Sequence, residues 1–119
     1  MVRIVVGGQI DKDSIKKKIV AFGEDKVTVD VMGDLDGAMA LQEGKYDYYV
    51  GACNTGGGGA LAMAIAILGM EQCATLSMPG KILPDAKMKE EVEKGKVAFG
   101  FTAQDADQVL SVILPLLIK

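Results

Sequence analysis

A cysteine, a threonine and four consecutive glycines follow one another in residues 53–60. The apolar run Tyr48–Val50 before them predicts a strand, and the apolar run Ala60–Leu68 after them predicts a helix. Glycines let backbone N–H groups converge on a ligand, and the start of a helix adds the positive end of its dipole. The loop 53–60 therefore suits a phosphate, a carboxylate or a developing oxyanion.

Three polar side chains lie at the start of this loop. Cys53 could act as a base or a nucleophile, because a helix N-terminus favours a thiolate. Thr55 could stabilise an oxyanion, and Asn54 could donate a hydrogen bond to a ligand. Structural roles remain open for all three: a buried strand end for the cysteine, and helix caps or turn bonds for the other two. The glycines could likewise serve only a tight turn.

The composition narrows the possible chemistry. The 119 residues suffice for one domain with a sizeable core, since half of them are hydrophobic. The net charge of −3 gives no basic footprint for nucleic acid. The chain has no histidine, which is the commonest metal ligand and the commonest general acid–base. We therefore expect no metal site and no cofactor, with any chemistry carried by Cys, Asp, Glu, Lys, Tyr or backbone groups.

The cellular location follows from the cysteines and the apolar segments. Cys53 and Cys73 have no close pairing, which fits a reducing cytoplasm. No signal peptide is visible, and the longest apolar stretches, 56–70 and 109–118, fall short of the ~20 residues of a membrane helix. We expect a cytoplasmic protein with neither a membrane nor a nucleic acid as its partner.

Apolar runs alternate with helical patterns along the whole chain, and no linker or repeat interrupts them. The predicted strands are Val2–Val6, Val27–Val31, Tyr48–Val50, Cys73–Ser77 and Val97–Phe101. The predicted helices are Asp11–Phe22, Leu35–Gln42, Ala60–Leu68, Ala86–Glu93 and Asp105–Leu117. Asp11 or Asp13 could cap the first of these helices, and Thr102 could cap the last.

This alternation predicts an α/β fold, a single-domain three-layer sandwich around a five-stranded parallel sheet. The favoured strand order is the flavodoxin-like, Rossmann-like 2-1-3-4-5, in which the topological switch point lies between strands one and three. Ligands bind at such a switch point, beyond the carboxyl ends of the strands. Gly8 and Gln9, which follow strand one, would then face the loop 53–60 across the crevice.

Further polar residues follow other predicted strands. Asp11, Asp34 and Asp36 could serve as bases or hydroxyl ligands, although caps and solvated turns are the preferred explanation. Lys81, after strand four, could neutralise a phosphate or lie on an ordinary surface loop. The predicted ligand-binding residues are Gly8, Gln9, Asn54, Thr55, Gly56, Gly57, Gly58, Gly59 and Lys81, and the candidate catalytic residues are Cys53 and Thr55.

Two helices are too apolar to stand alone. Ala60–Leu68 is apolar on every side, and Val109–Ile118 has too few polar residues for an exposed face. One side of each helix can cover the sheet, while the other side requires a partner. We therefore expect a homo-oligomer.

Two stretches of the chain resemble a known family. Asp47–Gly56 and Gly95–Gly100 are similar to signature stretches of the YhfU-like uncharacterised bacterial proteins. The resemblance spans nearly the whole chain. It implies no activity, because that family has none established.

The loop has a separate, local likeness. A strand, the pattern Cys-x-Thr-Gly-x-Gly and an alanine-rich helix resemble the active-site loop of type B ribose-phosphate isomerases and the related galactose-phosphate isomerase subunits. The resemblance implies that Cys53 is a base moving a proton next to a carbonyl. It also implies an anion hole for the enediolate, formed by Thr55, Gly56 and Gly58.

The chain also departs from that isomerase family. Gly8-Gln9 replaces an Asp-His pair after strand one, no histidine is present for ring opening, and Arg3 is the only arginine where the family grips phosphate with several. The resemblance implies a shared architecture and anion hole, and isomerase activity does not follow from it.

Two functions therefore fit the sequence. The first is binding of a small phosphorylated or carboxylated metabolite at loop 53–60, by an accessory or sensor protein of carbohydrate or small-metabolite metabolism. The absence of histidine and the single arginine favour it. The alternative is an isomerase- or lyase-type enzyme acting on a sugar phosphate, with Cys53 as the base and Thr55 and the glycines as the anion hole.

Overall fold

A five-stranded parallel sheet forms the centre of the computed structural model, which describes residues 1–54 and 57–118. Helices cover both faces of the sheet, so the predicted three-layer α/β fold is confirmed. The strands are β1 (Val2–Gly8), β2 (Val27–Val31), β3 (Tyr48–Cys53), β4 (Cys73–Thr75), β5 (Ser77–Met78), β6 (Lys81–Ile82) and β7 (Ala98–Thr102). The helices are α1 (Lys12–Gly23), α2 (Asp34–Gln42), α3 (Gly57–Leu68), α4 (Asp85–Glu93) and α5 (Ala106–Leu117).

The strand order across the sheet is β2-β1-β3-β7-β4. The predicted order is confirmed for the first three strands and wrong for the last two, because β7 lies between β3 and β4. The physical reason is burial. All five residues of β7 are buried, as a central strand requires, whereas β4 has three residues and an exposed Thr75, which suit an edge.

The predicted fourth strand, Cys73–Ser77, is divided in the structure. The parallel pairing of β4 with β7 ends at Thr75, and Ser77–Met78 pairs instead with Lys81–Ile82 as a short antiparallel hairpin. Gly80 has a φ of 76° in the turn of this hairpin, a conformation that glycine adopts readily. The predicted loop after strand four is therefore partly a β-hairpin.

Two hydrophobic cores lie on opposite faces of the sheet. On the α1/α4/α5 face, Ile15, Met88 and Ile113 pack against aliphatic and aromatic residues of the strands. On the α2/α3 face, Leu41 and Leu61 pack around residues of β1, β3 and β7. Within the described residues, no helix is both long and apolar enough to cross a membrane.

Three local predictions at helix ends differ from the structure. Helix α3 starts at Gly57 rather than at Ala60, so Gly57–Gly59 form its first turn instead of a loop. Asp11 occupies the N-cap position of α1 with a φ of 56°, but its side chain makes no capping hydrogen bond. Thr102 does not cap α5, because a 3₁₀ turn, Ala103–Asp105, lies between them.

Helix α5 is less exposed than its composition predicts. Its large apolar residues Val109, Leu110, Ile113, Leu114 and Leu117 are all buried, and its exposed positions include Asp107, Gln108, Ser111 and Pro115. The helix is therefore amphipathic, and its apolar content no longer requires a partner. Of the two helices, only α3 still supports an oligomer.

Candidate functional site

The carboxyl edge of the sheet brings the ends of β1 and β3 together. Gly8, the last residue of β1, is paired with Ala52, directly before Cys53 and Asn54. Helix α1 leaves β1 toward one face of the sheet, while α3 leaves β3 toward the other. This divergence is the switch point that the sequence predicts between strands one and three.

The loop after β1 folds back over the end of β3. The N–H of Gly8 donates to Tyr49 Oη at 2.9 Å, and the N–H of Gln9 donates to the carbonyl of Ala52 at 2.9 Å. Gly8 has a φ of 83°, and a Cβ there would lie 2.6 Å from the backbone nitrogen of Ala52. The predicted site residues Gly8 and Gln9 therefore lie at the crevice, with their N–H groups bonded within the protein and the Gln9 side chain exposed.

Tyr49 is the buried centre of this region. Its hydroxyl accepts the Gly8 hydrogen bond and donates to the carbonyl of Ala60, in the first turns of α3, at 3.1 Å. Burial, and to a lesser extent the charge of Asp34, raise the pKa of Tyr49 far above its usual value. The phenol thus stays protonated and ties β1, β3 and α3 together. Sequence reasoning assigned it to packing, and the need of a buried tyrosine hydroxyl for a partner was the available signal.

Glycines from three elements make room for the Tyr49 ring. A Cβ at Gly7 would lie 2.5 Å from Tyr49 Cε2, and one at Gly37 would lie 3.2 Å from the same atom. A Cβ at Gly51 would lie 3.1 Å from the backbone N and Cα of Gly8 and 3.2 Å from Tyr49 Cε1. Gly7 and Gly37 therefore make room for the Tyr49 ring, and Gly51 makes room for both the ring and the backbone of Gly8.

Cys53 and Thr102 lie side by side at the ends of β3 and β7. They are partners in the parallel register, and both are buried. Alternation along the strands places Cys53 on the same face as Tyr49, and Thr102 on the same face as Ala98, which is the α2/α3 face. The N–H of Thr102 donates to Ser77 Oγ at 2.9 Å, but its own Oγ1 has no hydrogen-bond partner.

Asp34, the first residue of α2, approaches the same edge from the other side of β3. Burial raises the pKa of its carboxyl group, whereas the charge of Lys12 and the nearby N–H of Gly8 oppose that shift. Its Oδ1 is buried and has no hydrogen-bond partner, while Lys12 Nζ donates to the carbonyl of Met32 at 3.2 Å. The other predicted carboxylates, Asp11 and Asp36, are exposed.

The remaining predicted residues are divided between this edge and its surroundings. Asn54 is exposed in the turn after β3, and Gly57–Gly59 open α3. Thr55 and Gly56 lie outside the described residues. Lys81 is exposed in the β5–β6 hairpin, in which Ser77 accepts the hydrogen bond from the N–H of Thr102 at the end of β7.

Comparison with known proteins identifies relatives along the whole chain. The family described as "Protein of unknown function DUF2620" matches residues 2–117. The "Uncharacterized protein YhfU" of Escherichia coli strain K12 is 35% identical over 114 residues, which cover 96% of this chain and 97% of that protein. The protein of the same name from Shigella flexneri has the same identity and coverage. No solved structure matches significantly. The chain therefore belongs to the DUF2620 family, as the resemblance to YhfU-like proteins predicts.

Proposed function

We propose that this protein binds a small anionic metabolite, phosphorylated or carboxylated, at residues 53–60. The observation that carries the proposal is that α3 begins with Gly57–Gly59 directly beyond β3, at the switch point between β1 and β3. In a cytoplasmic setting the protein would serve as an accessory or sensor protein of carbohydrate or small-metabolite metabolism.

The first turn of α3 has the properties that anion binding requires. The first N–H groups of a helix have no intrahelical acceptor, and the helix dipole places partial positive charge there. Glycines add no Cβ atoms, so a ligand can come close to the backbone. Lys12 lies near the Asp34 carboxyl at the same edge and adds a positive charge to the surroundings.

The enzymatic alternative assigns proton transfer to Cys53. The buried hydroxyl of Thr102 beside it favours that alternative, since it could donate a hydrogen bond to a developing oxyanion. The chain has no histidine to activate the thiol, however, and only one arginine, Arg3, to hold a sugar phosphate. Binding without turnover is therefore the function that we favour.

Ligand binding can be tested by thermal shift, because a ligand that binds the folded state raises the melting temperature. We expect sugar phosphates or small carboxylates to raise it in the wild type, and Thr55→Val to reduce that shift. Thr28→Val is the matched control, since Thr28 is exposed in the edge strand β2. The proposal is wrong if no anion in the panel shifts the wild type, or if the Thr55 and Thr28 variants behave alike.

We further propose that a second copy of the chain covers α3. The helix Gly57–Leu68 contains only glycine and apolar residues, yet Met63 is 39% exposed, and Leu35 and Met39 of the neighbouring α2 are also exposed. Beside Met39, Glu43 and Lys45 form an ion pair at 3.6 Å. In a dimer with a two-fold axis, the same patch of each copy faces the other, so the positive and negative charges of the patch can pair across the interface.

Charge introduced at the centre of this surface should separate the copies. We expect sedimentation of the wild type to show an oligomer at micromolar concentration, and Met63→Lys to sediment as a folded monomer. Val20→Lys is the control, because Val20 is similarly exposed on α1, on the opposite face of the sheet. A wild type that sediments only as a monomer would contradict this proposal.

A further inference from the structure

Two buried oxygen atoms at the carboxyl edge of the sheet have unused hydrogen-bonding capacity. Within residues 1–54 and 57–118, Asp34 Oδ1 and Thr102 Oγ1 are the buried side-chain oxygens without a hydrogen-bond partner. Buried polar atoms are nearly always paired, so an unpaired one requires an explanation. Both atoms occur at one edge of the sheet, which makes a shared explanation reasonable.

Thr102 is held in place by interactions that do not use its hydroxyl. The side chain is 3% exposed, its N–H donates to Ser77 Oγ, and its register partner is Cys53. The helix α5 does not take the hydroxyl as a cap, because the 3₁₀ turn intervenes. By strand alternation the side chain lies on the α2/α3 face, where α3 begins. A hydroxyl is a donor, so this position suits an oxyanion next to the helix N-terminus.

Asp34 provides the complementary chemistry on the other side of β3. Its carboxyl group lies near the N–H of Gly8 at the end of β1 and near the buried Tyr49. A carboxylate oxygen accepts hydrogen bonds and repels a second anionic group. This position therefore suits a neutral hydroxyl of a ligand and disfavours a phosphate.

The strand order determines the separation of these two positions. Strand β3 lies between β1 and β7, so two strand spacings, about 10 Å in total, separate the Gly8 side from the Thr102 side. A lone phosphate ion is too small to reach both. A sugar phosphate or sugar acid with several carbon atoms can reach both, with its anionic group at one end and hydroxyls at the other.

We infer that the ligand is a hydroxylated organic anion, such as a sugar monophosphate or sugar acid. Its anionic group is bound by Thr102 and the start of α3, and a hydroxyl is bound by Asp34. This inference rests on the proposed anion-binding function and adds the ligand class and two contact residues to it. From the sequence, Thr102 is expected only as a helix cap, and hydroxyl binding by Asp34 is the less favoured alternative to a cap or a solvated turn.

The test compares hydroxylated and hydroxyl-free anions by calorimetric titration. The probes are glycerol 3-phosphate, ribose 5-phosphate, glucose 6-phosphate and gluconate, with hexyl phosphate, hexanoate and inorganic phosphate as the anions without hydroxyls. We expect at least one hydroxylated probe to bind the wild type at least tenfold more tightly than its hydroxyl-free counterpart, since one hydrogen bond is worth about tenfold.

Variants at Thr102 and Asp34 test the contacts to the anionic group and to the hydroxyl of the ligand separately. Thr102→Val should weaken the binding of hydroxylated and hydroxyl-free anions alike by about tenfold. Thr102→Ser keeps the hydroxyl and should restore binding. Asp34→Ala should weaken the binding of the hydroxylated probes only. Asp36→Ala is the control, because Asp36 is exposed in the same turn of α2. The melting temperature of ligand-free Thr102→Val should not fall, because Oγ1 has no partner to lose.

The outcomes distinguish this inference from the proposed function. If Thr55→Val abolishes binding while the Thr102 and Asp34 variants bind normally, the anion site stands and this inference is wrong. If no hydroxylated probe binds more tightly than its counterpart, the ligand class is wrong. If no probe binds the wild type, both the proposed function and this inference are wrong. A large loss of stability in ligand-free Thr102→Val would give the hydroxyl a structural role and also overturn the inference.

Discussion

The two faces of the sheet differ in the side chains that they bury. The α1/α4/α5 face is closed by large aliphatic side chains, and its exterior carries ion pairs such as Lys18–Asp107 at 2.6 Å and Lys94–Glu90 at 3.4 Å. The α2/α3 face buries Tyr49 and Thr102, while its exterior exposes apolar residues such as Met63. Both exteriors expose some apolar residues, including Val20 and Phe22 on α1, but only the α2/α3 face buries side-chain oxygens that, among the described residues, lack a hydrogen-bond partner.

The difference teaches where function is to be sought in this chain. Folding stability explains the core of the α1/α4/α5 face, because its large apolar side chains are buried against the sheet. It does not explain the buried oxygens without hydrogen-bond partners on the α2/α3 face. Departures from local consistency are typical of functional sites, and these two unpaired oxygens share one face.

The largest expected effect concerns the space around Tyr49. Gly7→Ala should destabilise the protein by about 3 kcal/mol, because the new Cβ would overlap the Tyr49 ring. Urea denaturation measures the change in the free energy of unfolding. The matched control is Gly33→Ala, where no atom lies within 4 Å of the added carbon and a loss of about 1 kcal/mol or less is expected. Equal losses in the two variants would mean that the α2/α3 face is not tightly packed around the ring.

A smaller effect should follow from removing the Tyr49 hydroxyl. Tyr49→Phe leaves the buried N–H of Gly8 without its acceptor, so we expect a loss of about 2 kcal/mol. Tyr48→Phe is the control on the other face, because the Tyr48 ring packs against Phe99 and is partly exposed. We expect it to change the free energy of unfolding by about 0.5 kcal/mol or less. Similar values for both tyrosines would remove the contrast between the faces.

The smallest expected effect is a pH dependence that arises from Asp34. Folding raises the pKa of this carboxyl above its unfolded value of 3.8, so the ionised group opposes folding. Stability should therefore fall as the pH rises from below 3.8 through the folded pKa. Asp34→Asn should be more stable than the wild type at neutral pH, by less than the Tyr49→Phe effect, and this advantage should disappear below pH 3.8.

A matched control for this titration lies on the other face. Asp107 is exposed and paired with Lys18, so Asp107→Asn should be slightly less stable than the wild type at neutral pH. Thermal unfolding from pH 3 to pH 8 measures both variants. If Asp34→Asn loses stability at neutral pH as Asp107→Asn does, Asp34 is stabilised by its surroundings, and its buried oxygen is not a reserve for a ligand.

The pattern of residues was sufficient to predict most of the elements. Runs rich in apolar residues, such as Val2–Val6, predict buried parallel strands because both faces of such strands are covered. The division of Cys73–Ser77 and the position of β7 were not predictable in this way. A run of apolar residues shows that a strand is buried but does not show which strand lies beside it.

The candidate site shows the same limit. The glycines and polar residues of 53–60 are recognisable from their types alone, because backbone freedom and hydrogen-bonding capacity are local properties. Thr102 lies beside Cys53 only because β7, rather than β4, is the neighbour of β3. Asp34 lies near Gly8 only because α2 packs against the sheet.

The sequence by itself thus determined the α/β class, the switch between strands one and three and the family membership, since periodicity and residue identity are contained in the chain. Tertiary structure alone decided that Gly7 and Gly37 accommodate the Tyr49 ring and that, among the described residues, two buried side-chain oxygens at one edge remain without a hydrogen-bond partner. These features depend on distances between residues far apart in the chain, which are established only when the sheet and its helices pack together.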